Sequence, residues 1–203
     1  MKKDGLIITL AWPETWVKAT EARYNVLAET LGISKNGFYK VGHAALVLIN
    51  LGTGQASYFD CGRYDCPPNQ ARIRSAVSDP DLKLKTSLWD IHDHFQSTEL
   101  LWEIAQNEAT HGSGPMHWGL HEVNFKSSLE FILNEQSKGF RPYGPFDLKG
   151  SNCSRFVLKS LVAGGAEKAI WAQLKYGPCP LPIMLTQFSP SVELKMPRFN
   201  LNA

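Results

Sequence analysis

Cys153 stands in the stretch "KGSNCSRFVLKSLVAGG", residues 149–165, at the head of an apolar run with helical spacing. Ser151 or Asn152 makes a good N-cap there, which leaves the thiol in the first turn. Unpaired N–H groups and the positive end of the helix dipole gather at that turn. A thiol so placed ionises more readily than a free one, and the thiolate is a nucleophile. Arg155 and Lys159 add positive charge to the same helix. Cysteine is also a small hydrophobe, so packing is the plain alternative.

A thiolate used for chemistry needs a base within hydrogen-bond reach, and the base needs an orienting group. The chain has six histidines. His43 opens the apolar strand "HAALVLI" behind Gly42, where a polar ring is costly unless paired. A turn at "GTG" and a second strand, Ala56 to Cys61, complete a hairpin. With a two-residue turn, at Gly52-Thr53 or Thr53-Gly54, paired positions sum to an odd number. His43 then shares a face with Ala45, Val47, Tyr58 and Asp60. Asp60, a carboxylate in a strand otherwise rich in aromatics, could on this count hold one imidazole nitrogen. A three-residue turn would put Cys61 on that face instead. Arg63, just past the second strand, could clamp a substrate carboxylate or be an ordinary surface arginine.

The other candidates carry less. His92 and His94 in "DIHDHF", with Asp90 and Asp93, have metal-ligand chemistry, and His111, His117 and His121 lie downstream. Their spacing follows no fixed ligand pattern, and no metal is expected. "GTG" and "HGSGP" lack the spacing of a phosphate loop, and no cofactor is expected. Cys61, Cys66 and Cys179 head no helix and read as packing residues.

Bulk properties narrow the class. The chain has 203 residues, 43% hydrophobic and 20% charged, which suits one domain with a full core. A formal net charge of +2 supplies no field for nucleic acid or acidic lipid. Four irregularly spaced cysteines make neither a disulfide framework nor a zinc ribbon. The N-terminal apolar run is short and broken by Pro13, so it does not read as a signal peptide. No stretch approaches a membrane span. The expected location is the cytoplasm, with reduced thiols.

The elements that must position these groups read as follows. Residues 6–12 are a strand, residues 15–32 a helix stopped by Gly32, and residues 43–49 and 56–61 the hairpin. A short edge strand is expected around Leu82 to Leu84. Residues 97–112 form a helix opened by Ser97 and closed by Gly112. "HWGLHEVNF" is a strand, residues 127–139 a helix, "FRPYGPFDLKG" a loop, and Asn152 to Val162 the helix of Cys153. A last helix covers 166–174, and the proline-punctuated tail is extended. Without a βαβ rhythm the class is α+β, a small antiparallel sheet packed against helices.

"GHAALVLI", a turn, a second strand, and much later "NCSRFV" opening a helix together resemble the circularly permuted branch of the NlpC-type, papain-like cysteine hydrolases. That branch includes the lecithin:retinol acyltransferase-like proteins. The resemblance implies a single permuted papain-like domain over residues 1–203, with an inserted segment at about 65–150 that shapes the cleft. It implies Cys153 as nucleophile, His43 as base and Asp60 as third residue, with Tyr58 the runner-up; the residues expected near the substrate are Tyr58, Arg63 and Asn152. Acyltransferase members often carry a second histidine on that strand, and this chain has none there. The activity implied is thiol-dependent hydrolysis or acyl transfer at an amide or ester bond of a small peptide, a cell-wall fragment or a lipid. A catalytically inactive binding module of the same fold is the alternative.

Overall fold

The apolar runs "GLIITLAW" and "HAALVLI" do not alternate with polar residues, which demands cover on both faces of the sheet they enter. A computed structural model, which describes residues 2–18, 34–35, 38–87, 94–144 and 150–166, meets that demand. Strand β1 (Gly5–Trp12) is buried along its whole length and pairs antiparallel with β5 (His43–Asn50). β6 (Ala56–Gly62), β7 (Gln70–Ser75), β8 (His117–Val123) and β9 (Arg141–Pro142) complete a six-stranded sheet in the order β8-β1-β5-β6-β7-β9. Every pairing in it is antiparallel. β2 (Trp16–Lys18), β3 (Ser34–Lys35) and β4 (Phe38–Lys40) form a separate three-stranded sheet. The class is α+β, as the sequence implied.

Helices cover the two faces of the large sheet. On one, Ala44, Leu46, Leu48, Phe59, Cys61 and Ile73 pack against α2 (Phe125–Ser137) and α3 (Cys153–Ala163). On the other, Leu10, Trp12, Ala45, Val47 and Tyr58 pack against Leu100, Leu101 and Ile104 of α1 (His94–Gln106). Phe156, Val157 and Leu161 of α3 are buried, each adding about 1.5–3 kcal/mol of hydrophobic stabilisation. That apolar face, more than the cap, fixes the helix on the sheet.

Several elements depart from the sequence reading. Residues 16–18 are a strand paired with β4 rather than the start of a helix; the rest of that expected helix lies outside the described residues. The edge strand expected at Leu82–Leu84 does not form: Pro80–Leu82 is a single 3-10 turn opened by proline, and the strand of this region is Gln70–Ser75, flanked by β6 and β9. "QARIRS" escaped notice because Arg72 and Arg74 interrupt it, yet Ala71 and Ile73 alternate with them into the core. Ser97 lies inside α1 rather than at its start; the helix stops at Gln106 and a 3-10 turn, Glu108–Thr110, follows. Asn107 divides the two by accepting the N–H of Ala109, and left-handed His111 (φ 55°), not Gly112, ends the second. α2 starts two residues early because Asn124 caps it, accepting the N–H of Ser127. The expected loop at 140–150 contributes β9. The expected helix at 166–174 and the tail fall beyond residue 166, outside the described residues.

The hairpin loop is four residues, Leu51 to Gly54, not two: the Asn50 N–H donates to the Gln55 carbonyl. Four and two are both even, so the parity argument survives. Ala45 pairs with Asp60 and Val47 with Tyr58.

Candidate active site

Side chains from β1, β5, β6, β7, the turn at His111, the end of β9 and the start of α3 meet at the end of the sheet where β5 begins. Asn152, in extended conformation, accepts the N–H of Arg155 at 2.7 Å and so caps α3. Cys153 follows as the first helical residue and is 6% exposed. His43, 5% exposed, opens β5 beside Trp12 at the end of β1. The two groups approach from different layers: His43 belongs by alternation to the α1 face, and Cys153 comes with α3 from the other. They meet because His43 is the strand's first residue, past which no sheet separates the layers.

The Cys153 thiol and the His43 ring lie close enough for each to shift the other's ionisation. His43 Nε2 stands 3.4 Å from Asp60 Oδ2 and 3.5 Å from the Tyr64 hydroxyl. Nδ1 is the ring nitrogen these two partners leave open. Trp12 stacks on the imidazole, with centroids 5.7 Å apart and planes 19° from parallel, and Tyr64 meets it edge-on. Gly112 permits this packing: a Cβ there would lie 2.3 Å from the Trp12 ring.

Asp60 is fully buried and fully engaged. Arg74 donates to it through Nε at 3.0 Å and Nη2 at 2.6 Å, and the Tyr58 hydroxyl donates to Oδ2 at 3.1 Å. Arg74 also donates to the Ala109 carbonyl and lies 3.5 Å under the centre of the Tyr64 ring. His111 stacks on the other side of this group, 5.0 Å from Tyr64.

Burial and charge oppose each other throughout. Burial pulls the His43 imidazolium down, but hydrogen bonds and charge from Asp60 and Cys153 outweigh it and raise the group from 6.5 to about 9. Burial pushes the Cys153 thiol up, and His43, Tyr143 and Ser154 more than reverse this, holding it below its ordinary value. Burial likewise opposes ionisation of Asp60, while His43 and Arg74 keep its carboxyl below the usual range. The arrangement favours a thiolate–imidazolium pair, the ionic form of an activated cysteine.

Tyr143, just beyond β9, touches Cys153. Its hydroxyl accepts the backbone N–H of Cys153 at 3.2 Å and helps hold the thiol below its ordinary value. In an acyl-transfer site that N–H is the natural donor to a developing oxyanion.

Cys153, His43 and Asp60 therefore lie together. Tyr58 is 1% exposed and turned to Asp60. Asn152 is buried as the helix cap, and Arg63 is half-buried at the exit of β6. Cys61 is a buried core residue, Cys66 donates its S–H to the Gln70 carbonyl, and Cys179 is outside the described residues. Among the described residues no group of three His, Cys, Asp or Glu side chains is arranged to hold a metal ion. His117 and His121 stand on edge strand β8, His94 heads α1, and His92 is outside the described residues. Sequence reasoning passed over Trp12, Tyr64, Arg74 and Tyr143. Arg74 pairs with Asp60 across β6 and β7, a register that needs the strand at Gln70–Ser75, which the sequence reading did not place.

Residues 7–170 match the family described as type VI secretion system effector TseH-like, and the chain belongs to that family. A crystal structure of the type VI secretion system effector TseH superposes with a TM-score of 0.52 at 18% sequence identity, covering 81% of this chain and 79% of that one. No curated protein matches the chain. The structural likeness concerns the fold.

Proposed function

We propose, from that membership, that the chain is an effector of a type VI secretion system and works as a thiol-dependent, papain-like hydrolase of the permuted NlpC type. Its substrate class is an amide or ester bond in a small peptide, a cell-wall fragment or an acyl lipid. The cytoplasm is then its place of synthesis, and the target cell its place of action. The observation that carries this reading is the convergence of a cysteine at a helix start with a buried histidine whose Nε2 stands 3.4 Å from the buried Asp60 carboxylate; burial opposes both charges, yet the thiol is shifted down and the imidazole up by their neighbours.

In the proposed reaction the Cys153 thiolate attacks the carbonyl carbon. Negative charge moves to the carbonyl oxygen, where the Cys153 N–H receives it once the Tyr143 hydroxyl gives up that contact. His43 passes its proton to the leaving amine or alkoxide, and a thioester remains. Water, deprotonated by the now neutral His43, attacks the thioester, and the carboxylate product departs with Cys153 again a thiolate. Asp60 holds Nε2 and stabilises the imidazolium at each stage. Transfer to an acceptor other than water uses the same steps.

Alkylation of Cys153 by iodoacetamide, followed by peptide mapping across pH, tests this. The expected profile rises well below the free-thiol value of about 8.5, and His43→Ala returns it to that value. An unperturbed thiol profile in the natural chain would refute the proposal. A second reading, a binding module with a vestigial site, draws on the near-complete burial of Cys153 and His43 and on Tyr143 occupying the Cys153 N–H. It predicts the same perturbed thiol but no thioester or hydrolysis with activated esters.

A further inference from the structure

Asp60 is committed to Arg74 before it is committed to His43. The arginine holds both carboxylate oxygens, at 3.0 and 2.6 Å, whereas His43 Nε2 stands 3.4 Å away. Arg74 is itself 3% exposed. A buried arginine is costly, and one that served packing alone would be replaceable by an apolar residue at little loss. Its guanidinium is fixed from three directions: the Asp60 carboxylate, the Ala109 carbonyl and the face of the Tyr64 ring.

A lone buried carboxylate beside an imidazole would hold the ring's proton too tightly. Both proposed proton transfers, to the leaving group and from water, need a ring that can lose that proton as well as carry it. A carboxylate shared with a guanidinium orients Nε2 with only part of its charge acting on the ring. We propose that Arg74 is a positioning residue for His43 that acts through Asp60, fixing the carboxylate's direction and weakening its pull on the imidazole proton. The inference rests on Cys153 and His43 being the reacting pair. The charged and titratable groups facing His43 or its carboxylate are Tyr58, Asp60 and Tyr64 from β6 and its exit, Arg74 from β7, His111 from the turn before β8, and Cys153 from α3.

The test follows the His43 ring by NMR through a pH titration of the full chain with labelled histidine, assigned with His43→Gln. It needs no substrate. Arg74→Gln is expected to raise the His43 midpoint by about one pH unit, the scale on which a neighbouring charge acts. Asp60→Asn is expected to lower it, so the two changes move the ring in opposite directions. A general loosening of the fold would move both the same way, toward the free imidazole value. Arg74→Lys, which keeps the charge, is expected to stay near the natural midpoint. The double variant Asp60→Asn/Arg74→Gln, which buries neither charge, is expected to titrate with Asp60→Asn, because Arg74 reaches the ring only through the carboxylate; it keeps the test open if Arg74→Gln alone does not fold. An Arg74→Gln midpoint unchanged or lowered overturns the inference, as does a double variant that titrates away from Asp60→Asn, which would show the guanidinium acting on the ring directly. A natural chain whose His43 titrates like a free imidazole instead overturns the proposed function.

Discussion

Removal of the sulfur should uncover a pH dependence of stability that the natural chain conceals. His43 has a folded value raised from 6.5 to about 9, which corresponds to about 3 kcal/mol at about 1.4 kcal/mol for each pH unit. A raised group stabilises fully below its unfolded value, and its contribution is lost as pH climbs through the folded value. Cys153 is depressed, so its contribution has the opposite sign: present above the unfolded value of 9.0 and lost as pH falls through the folded one. Between about pH 6.5 and 9 the two slopes oppose each other. Physically, the folded pair holds one proton on the ring and the unfolded pair holds one on the sulfur, so folding moves the proton without binding or releasing it. Cys153→Ala breaks that balance and leaves His43 raised by Asp60. Urea unfolding from pH 6 to 10 should then show the variant losing stability with rising pH, up to a ceiling of about 3 kcal/mol, while the natural chain stays flatter. A variant with no slope across this range, or a natural chain that falls as steeply, would refute the coupled-pair reasoning.

Gly112→Ala places a Cβ 2.3 Å from the Trp12 ring and should cost about 1–3 kcal/mol of overpacking, read as a lower melting temperature together with slower Cys153 alkylation. Gly144→Ala, whose added Cβ meets nothing within 4 Å, is the control and should leave both unchanged. Asn152→Ala removes the cap of α3 and should cost about 1 kcal/mol in urea unfolding. Asn152→Asp keeps the cap but sets a carboxylate beside the thiolate, so stability should hold while the alkylation profile moves to higher pH.

The parts of this protein legible in its sequence are those set by local chemistry. Asn152 before an apolar helical run announces a helix start, and Cys153 in its first turn follows from the spacing alone. Alternation along "HAALVLI" and "SYFDCG" places His43 and Asp60 on one face of a hairpin; an even loop of either length gives that result. The second edge of the site was hidden for a local reason too, since arginines at 72 and 74 make "QARIRS" look like a solvated loop until a buried carboxylate is known to face Arg74. The meeting of His43 with Cys153, about 110 residues later and from the other side of the sheet, was decided by tertiary structure. So were Trp12 against the imidazole and the Tyr143 hydroxyl on the Cys153 N–H. Periodicity reports which way a side chain points within its own strand or helix. The order of strands, and the layer from which each helix arrives, depend on burying both faces of the sheet at once, a property of the whole chain.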